Sequence, residues 1–549
     1  MGGWIMMGGW MHILAESGDL SGTAGFLLPL LVLAPLIGGF LLAFLKRDET
    51  VEATALAVSG GVFVLSVAVA LVFQFNAGGG QMAWSMDWIP ALGIRFAFGL
   101  DSISLWLILL TTFLMPLAIL GSLGDDRRGR SREFYLWLLV LQSALIGVFA
   151  STDLILFYVF FEMTLVPLYF LIGIFGGVKK EFAANKFFLF TLAGSVFTLV
   201  AVLYVAWSHA HHHQGVWDFD IGKLTASAQA HLSDAEQAWV LAGLLVGFAV
   251  KVPLFPVHTW LPLAHTQAPT AGSVVLAGVL LKLGSYGLLR FALPMAPLAV
   301  AEYADQIALL CVIGVIYAAL ICWVQDNIKQ LVAYSSVSHM GFCILGMFAL
   351  NLEGLSGSMM YMINHGLSTG ALFLCVGMIY NRYHTLEIDQ LSGLGRRMPI
   401  WAFFMVFFCF ASVGLPGLNG FVGEFLTLLG GFAAEHTRWY AVVAASGLIL
   451  GAIYILYLVG KVVMGPVKEP AAYAGKVKDL NSREIITLTP LAVACLVLGL
   501  FPTPMIKSMR TDLNELRAPA AAAQKLQQQQ QLKAERSADA ALKKAEVGR

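Results

Sequence analysis

Residues 246–262 read VGFAVKVPLFPVHTWLP. Lys251 stands inside an apolar run long enough to cross a membrane, and Pro253 and Pro256 follow it directly. A charged side chain at bilayer depth costs about 3 kcal/mol on insertion scales. Proline removes a backbone donor and disturbs the preceding helical turn. A charge and a helix break in one place therefore predict a discontinuous membrane span that lines a hydrated path inside protein.

The composition shows which solvent the chain is built for. Of its 549 residues, 58% are hydrophobic and 12% are charged, and the mean hydropathy is +0.78. Soluble domains carry about 25% charged residues, so the sequence predicts a polytopic membrane protein and excludes the soluble class. The formal net charge of zero predicts no nucleic-acid partner.

The cysteines lie singly in apolar segments and form no C-x-x-C or other ligand-like spacing. We interpret them as small packing residues. The sequence therefore predicts no iron–sulfur cluster, no metal site, no disulfide framework and no bound cofactor in this chain. The six are Cys311, Cys322, Cys343, Cys375, Cys409 and Cys495.

Apolar segments of about 20 residues predict an all-α fold with about fourteen transmembrane helices. The basic loop residues alternate strongly between the two sides, with Lys46, Arg47 and Arg127 among many on one side and Arg95, Lys223 and Arg438 on the other. The positive-inside rule then places both termini on the periplasmic side. The predicted spans are 25–45, 52–75, 102–122, 134–151, 153–175, 184–207, 238–257, 270–293, 306–324, 330–350, 357–380, 399–429, 439–463 and 485–506.

A second span is interrupted in the same way. VGLPGLNGFVGE (413–424) contains Pro416 and lies in the twelfth span, five after the broken seventh span. Because five is odd, the later copy runs in the opposite direction, which is typical of inverted repeats with an ion site between them. The predicted divisions are a leader (1–24), helices one to three (25–123), two inverted five-helix repeats (134–293 and 306–463), helix fourteen (485–507) and a polar tail (508–549).

The ionisable residues inside the spans are few. Glu162, Lys251, Lys282 and Glu424 lie near the middle of four spans, and His258, His339 and His365 add groups that titrate near neutral pH. Intramembrane charges face the protein interior and mark ion or proton paths. A buried lysine can change its charge when a carboxylate moves beside it. We interpret these residues as a proton path; static ion pairs between helices, and proline kinks made for packing, are the alternatives.

Four long motifs carry a resemblance to a known family. They are FGLDSISLWLILLTT (98–112), FAVKVPLFPVHTWLPLAHTQAPTAGSVVLAGVLLKLGSYGLLR (248–290), DNIKQLVAYSSVSHMG (326–341) and NHGLSTGALFL (364–374). The chain resembles the antiporter-like membrane subunits of respiratory complex I over nearly all its spans. Sibling subunits and related sodium/proton antiporter chains typically carry lysine where this chain has Glu424, and often lysine where it has Thr369.

The resemblance implies a proton-translocating channel without a redox centre. Glu162 matches an acid that pairs with and modulates the lysine at Lys251, Lys282 matches a central relay, and Glu424 matches the end of the second half-channel. The three histidines match the polar axis between them. FMN, iron–sulfur clusters, NADH and quinone are expected in other subunits. The expected partners are the other membrane-arm subunits, especially the two siblings, and membrane lipids, in a bacterial inner membrane.

Other functions stay open at this stage. The chain is alternatively a subunit of a sodium/proton antiporter or membrane hydrogenase, or a scaffold of the membrane arm that does not pump. HAHHHQ (209–214) has a spacing that can bind metal, but we interpret 208–236 as a solvated polar loop. The tail, with QKLQQQQQLKAER, is interpreted as a solvated helix or as disorder.

Overall fold

The computed structural model describes residues 25–547 except 126 and 128; the predicted leader lies outside them. The described chain is helical apart from one β-hairpin, which confirms the polytopic all-α class. Its helices are α1 (Leu27–Leu42), α2 (Asp48–Val72), α3 (Ser102–Gly121), α4 (Ser131–Ala150), α5 (Leu154–Phe175), α6 (Lys180–His212), α7 (Ile221–His231), α8 (Asp234–Lys251), α9 (Leu261–Gln267), α10 (Thr270–Met295), α11 (Pro297–Trp323), α12 (Ile328–Phe348), α13 (Leu352–Tyr383), α14 (Pro399–Ser412), α15 (Asn419–Ala433), α16 (Arg438–Val463), α17 (Ser482–Leu500) and α18 (Thr503–Val547).

Among the described residues, 11 helices are long and apolar enough to cross a membrane, and α1 and α14 are shorter apolar helices. The broken spans explain part of the difference from fourteen. α14 and α15 divide the predicted span 399–429 into two helices, and α8 ends at Lys251, inside the predicted span 238–257. The count of fourteen and the two inverted repeats remain predictions.

The hairpin was not predicted. Strands β1 (Gln81–Ile89) and β2 (Ile94–Leu100) pair antiparallel, and Gly93 at φ 66° closes the turn between them. β1 is largely exposed, whereas β2 is buried from Ala97 to Leu100. A short ribbon with one solvated face has too little apolar character to appear in a search for membrane spans.

The hairpin marks one end of the helix bundle, which we call the hairpin face: β1–β2, α7, the turn 434–437 and α18. Arg95 of β2 forms an ion pair with Asp218 just before α7, at 3.0 Å. The interpretation of 208–236 as a polar loop is wrong, because α6 continues to His212 and α7 occupies 221–231.

The tail is a helix, and its first half is packed rather than solvated. The amide nitrogen of Ser102 donates to the Asp512 carboxylate at 2.8 Å. Trp106 donates to the Ser508 hydroxyl at 2.9 Å, and the Gln524 side chain lies 2.7 Å from His436 Nδ1. α18 therefore lies across the hairpin face from the start of α3 to the turn before α16.

The two helix interruptions share a backbone device. Pro253 and Pro256 lie between α8 and α9, and Pro416 lies between α14 and α15. At each break the amide two residues past the last full turn bonds five residues back, Leu254 to the Ala249 carbonyl at 2.9 Å and Leu415 to the Phe410 carbonyl at 3.1 Å. These bonds satisfy part of the backbone that each helix end exposes.

Helix α10 is buried along its length except at Thr270 and Arg290, which are partly buried. Wide π-turns occupy Leu276–Leu280 and Leu288–Ala292, a geometry that is frequent at functional sites. A Cβ on Gly366 of α13 would lie 2.7 Å from the Gly278 carbonyl oxygen. Glycine therefore lets α13 approach α10 closely at the level where both carry ionisable side chains.

Candidate functional site

The centre of the site is the ammonium group of Lys282, which is fully buried. Its Nζ donates to the Ala277 carbonyl at 2.6 Å, within the first wide turn of α10. It lies 2.7 Å from Nδ1 of His365 on α13. Because an ammonium group can only donate, His365 accepts at Nδ1 and carries its own proton on Nε2.

A second set of buried polar residues, His339, Tyr361 and Glu424, lies next to His365. The rings of His365 and His339 lie 5.8 Å apart between centroids. His339 Nδ1 lies 2.5 Å from the Tyr361 hydroxyl, which donates to the Glu424 carboxylate at 2.8 Å. A hydroxyl has one proton to give, so His339 donates from Nδ1 to Tyr361. His339, Tyr361 and Glu424 thus form a directed chain.

Other polar groups hold this chain in place. The Ser412 hydroxyl lies 3.3 Å and the Tyr454 hydroxyl 3.4 Å from His339 Nε2. Asn364 of α13 and Asn419 of α15 each donate to the other's carbonyl, at 2.6 and 3.1 Å. Helix α15, which carries Glu424, is thereby fixed against α13 at the break.

Lys251 lies apart from this chain. It is fully buried at the end of α8, with Nζ 3.3 Å from the Thr164 hydroxyl and 4.6 Å from the centroid of the Phe161 ring. Glu162 is in the same stretch of α5, yet among the described residues no salt bridge joins it to Lys251, and its Oε1 is buried without a hydrogen bond. The expected direct pair is therefore not closed in this conformation.

His258 also stands outside the chain. It lies in the first helix interruption, with its ring 5.9 Å from that of Phe255 and 5.3 Å from that of Tyr317. Its Nδ1 is buried without a hydrogen-bond partner. Among the described residues no hydrogen bond joins Lys251 to Lys282.

Two further buried polar groups were not predicted as part of the site. His265 stacks on Phe373 at 4.4 Å, and neither ring nitrogen has a hydrogen-bond partner. Lys329 is buried, and its Nζ donates to the Ala268 carbonyl at 2.5 Å. Tyr361 was missed as well, because a tyrosine in an apolar span normally indicates packing.

The end of the bundle opposite the hairpin contains a different cluster. Asp125 accepts from Asn381 at 3.0 Å, and Arg127 forms an ion pair with Glu52 at 2.8 Å. Burial raises the pKa of Asp125 to about 6, against the opposing effects of Arg127 and Asn381. This loop connects α3 to α4, and its ion pair and hydrogen bond attach it to α2 and α13.

In the described part of the chain, no three histidine, cysteine, aspartate or glutamate side chains are grouped to hold a metal ion. The cysteines are free and buried. The chemistry available to the site is proton transfer between lysine, histidine, tyrosine and carboxylate, groups that act as proton donors and acceptors in enzymes.

Comparison with known proteins places this arrangement in a class. Residues 151–452 match the family model described as NADH:quinone oxidoreductase/Mrp antiporter, TM. Residues 29–148 match the amino terminus of NADH-ubiquinone oxidoreductase chain 4. The chain belongs to the antiporter-like membrane subunits of NADH:quinone oxidoreductase.

Individual proteins similar to this chain describe the subunit more narrowly than the family models do. NADH-quinone oxidoreductase subunit M of Rhodobacter capsulatus is 41% identical over 89% of this chain and 94% of its own length. NADH-ubiquinone oxidoreductase chain 4 of Marchantia polymorpha is 39% identical over 88% of this chain and 96% of its own. A chain of respiratory complex I from Thermus thermophilus superimposes with a TM-score of 0.80 at 33% identity, covering 90% of this chain and 99% of that one. A chain of the Mrp complex from Dietzia shares the fold at 20% identity, with a TM-score of 0.78 over 91% of this chain and 99% of that one.

Proposed function

We propose that this chain translocates protons as a membrane subunit of NADH:quinone oxidoreductase. Protons pass along the buried chain from Lys282 through His365, His339 and Tyr361 to Glu424. The observation that carries the proposal is this order of neighbours. Three hydrogen-bond distances of 2.7, 2.5 and 2.8 Å join Lys282 to His365, His339 to Tyr361 and Tyr361 to Glu424, and the ring centroids of His365 and His339 lie 5.8 Å apart. An ion pair that only holds two helices together needs two residues. The series described here contains five residues, each of which donates or accepts a proton in a contact with a neighbour in the series.

The first half-channel contributes Lys251 and Glu162. In this conformation Lys251 is held by Thr164 and Phe161, and the Glu162 Oε1 atom is unpartnered. Movement of Glu162 toward Lys251 favours the charged lysine, and its withdrawal favours release of the proton. Hydration of the interrupted stretch beside His258 connects this pair to Lys282, because a helix break at membrane depth exposes backbone groups that bind water.

The remaining assignments concern the assembly. The chain is a translocase subunit whose energy comes from redox chemistry elsewhere, so FMN, iron–sulfur clusters, NADH and quinone belong to other subunits. Its partners are the other membrane-arm subunits, including the two antiporter-like siblings, and membrane lipids. The basic residues opposite the hairpin support a bacterial inner membrane location with the hairpin face and both termini in the periplasm.

The experiment uses inside-out membrane vesicles that contain the assembled complex. We would measure NADH-driven quinone reduction, proton uptake and the amount of complex for Lys251→Ala, Glu162→Gln and Glu424→Gln. Lys478→Ala, in the loop before α17, is the control. Collapse of turnover and proton uptake with normal assembly is expected for the three buried variants.

Normal pumping in assembled Lys251→Ala and Glu424→Gln complex would overturn the proposal. Loss of assembly alone, with full activity in the residual complex, would favour the scaffold. The carboxylate at Glu424 disfavours the alternative of a sodium/proton antiporter or membrane hydrogenase subunit, in which lysine is typical; sodium-dependent uptake by the purified complex would favour that alternative.

A further inference from the structure

Four histidines meet at the hairpin face, away from the chain described above. His209 and His213 of the α6 end stack at 4.1 Å between ring centroids, and His212 stacks on His231 of α7 at 4.3 Å. His213 and His231 meet edge to face at 5.8 Å. His209, His213 and His231 line a cavity of about 640 Å³ together with Asp218 and Lys223. The four rings therefore act as one cluster.

The hydrogen bonds fix where these rings can bind a proton. His212 Nδ1 lies 2.8 Å from the Ser208 carbonyl, His213 Nδ1 2.8 Å from the His209 carbonyl, and His231 Nδ1 3.1 Å from the Ser227 carbonyl. Since a carbonyl only accepts, each Nδ1 carries the proton and each Nε2 keeps a lone pair. Each ring can therefore take up a second proton without losing its existing bond.

Two neutral rings stack favourably, but two charged rings at the same distance repel. The fixed charges nearby are nearly balanced. Asp218 is neutralised by Arg95 at 3.0 Å and by Lys223 at 2.5 Å. Burial alone would raise the pKa of Asp218. Hydrogen bonds from Lys223 and from the amide of Asp220 nevertheless hold that pKa below its usual value. The cluster is also faced by Glu236, which accepts from Tyr204 at 2.6 Å, and by His211, which is 5.4 Å from His212.

The segment between these histidines is attached to the helix that carries Glu162. The amide of Leu154 donates to the Phe219 carbonyl at 2.8 Å, and the amide of Ile221 donates to the Thr152 carbonyl at 3.0 Å. Between them, Asp153 caps α5 by accepting from Ile155 and Leu156 at 3.0 Å. Its other carboxylate oxygen accepts from the Arg95 amide at 3.1 Å.

We propose that His209, His212, His213 and His231 form a proton-binding site that slows turnover when the hairpin side becomes acidic. Protonation separates the stacked rings, shifts residues 214–220 and loosens the first turn of α5. Phe161 and Thr164, which contact Lys251, lie on that helix, as does Glu162. The site thus opposes pumping into a compartment that is already acidic. This inference rests on the proposed function.

The test uses inside-out vesicles with NADH in the external medium at pH 7.5, and a concentrated internal buffer set between pH 5.5 and 7.5, with EDTA on both sides. We expect the initial NADH-driven turnover of the unmodified complex to fall at least threefold from internal pH 7.5 to 5.5. The double variant His212→Gln/His231→Gln is expected to fall less than 1.5-fold. His436→Gln, on the same face but outside the cluster, is expected to behave as the unmodified complex does.

A second measurement follows the helix directly. Hydrogen-exchange protection of residues 152–158, corrected for intrinsic exchange rates, is expected to be severalfold lower at pH 5.5 than at pH 7.5 in the unmodified complex and to stay constant in the double variant. Identical pH profiles of turnover for both proteins, or pH-independent protection in both, would overturn the inference. If Lys251→Ala abolishes pumping while the histidine variant behaves normally, only this inference fails. If Lys251→Ala pumps normally, the proposed function fails first.

Discussion

The imidazoles of His339 and His365 lie 5.8 Å apart between centroids and carry their protons on different nitrogens. His365 accepts from Lys282 at Nδ1, whereas His339 donates from Nδ1 to Tyr361. His365 Nε2 has no partner within the described residues. The pair is therefore set up so that a proton received by His365 at Nδ1 can leave from Nε2 toward His339.

Tyr361→Phe tests whether the hydroxyl carries protons between His339 and Glu424. We expect proton uptake and coupled turnover to fall about tenfold, because without the hydroxyl the His339 Nδ1 and Glu424 Oε1 atoms are left 3.7 Å apart, beyond hydrogen-bond distance. Assembly should persist, since losing a buried hydrogen bond costs roughly 1–3 kcal/mol. Proton uptake by vesicles is the measurement. Tyr303→Phe, at a tyrosine that is 38% exposed, is the control, and equal pumping by both variants would contradict a role for Tyr361.

Two glycines between α14 and α15 allow the effect of backbone strain to be measured separately from the effect of a steric clash with Glu424. Gly414 has φ 76° and Gly417 has φ 94°, so alanine strains both by roughly 1–2 kcal/mol. A Cβ at Gly414 would also collide with the Glu424 carboxylate, whereas one at Gly417 meets only Leu500 at 4.0 Å. We expect Gly414→Ala to reduce proton uptake at least fivefold more than Gly417→Ala, measured per assembled complex. Equal losses would mean that the position of Glu424 is not what matters there.

Asp125 predicts a pH-dependent loop stability. Its pKa is raised from 3.8 to about 6 in the folded protein, so the folded state binds the proton more tightly than the unfolded state. Stability contributed by this proton is fully present below the unfolded pKa of 3.8 and is lost as the pH rises from there through 6. Opening of residues 121–131 should become easier by about 1 kcal/mol between pH 5 and pH 7. Hydrogen exchange in the complex measures it.

Asp125→Asn should remove most of that pH dependence. Glu133→Gln, at a carboxylate 45% exposed in the next helix, should leave it unchanged. A loop whose opening is equally pH-dependent in the Asp125→Asn variant would show that another group is responsible.

The contacts of the first half of α18 predict that this helix is held against the start of α3 strongly enough to resist proteolysis. Asp512 accepts from both the amide and the hydroxyl of Ser102, so Asp512→Ala leaves two buried donors without their acceptor. We expect limited proteolysis from the hairpin side to cleave α18 at least fivefold faster. Arg517→Ala, which removes a bond to Asn514 within the same helix, is the control. Unchanged cleavage in the Asp512→Ala complex would mean that the other contacts suffice.

Sequence periodicity and composition predicted the membrane class, both helix interruptions and the buried charges, because each leaves a local signature. Lys251 beside two prolines is unusual in any apolar run. What the sequence did not reveal depends on contacts between distant segments. The tautomers of His339 and His365, and the role of Tyr361, follow from side chains on α10, α12, α13 and α15 that meet only after folding.

Two interpretations failed in part, for a related reason. HAHHHQ was interpreted as part of a solvated loop because its neighbours in sequence are polar. Residues 211–214 are exposed as expected, but the stretch ends a helix, His209 is buried, and the rings stack on one another and on His231 of α7. The start of the tail looked solvated because its average composition is polar, but Met509, Leu513 and Ala520 occur at helical spacing and are buried. Average polarity conceals a one-sided helix, whereas periodicity would have detected it.

Because of its two π-turns, the number of residues in α10 is itself a structural requirement. A π-turn accommodates one more residue than an α-turn, so deleting a single residue there would restore ordinary helical geometry while rotating everything beyond it by about 100°. Lys282 would then turn away from His365, and Arg290 would turn away from Asp101, with which it forms an ion pair. Evolution can exchange side chains along this helix one at a time, but it cannot shorten the helix by one residue without moving every later contact.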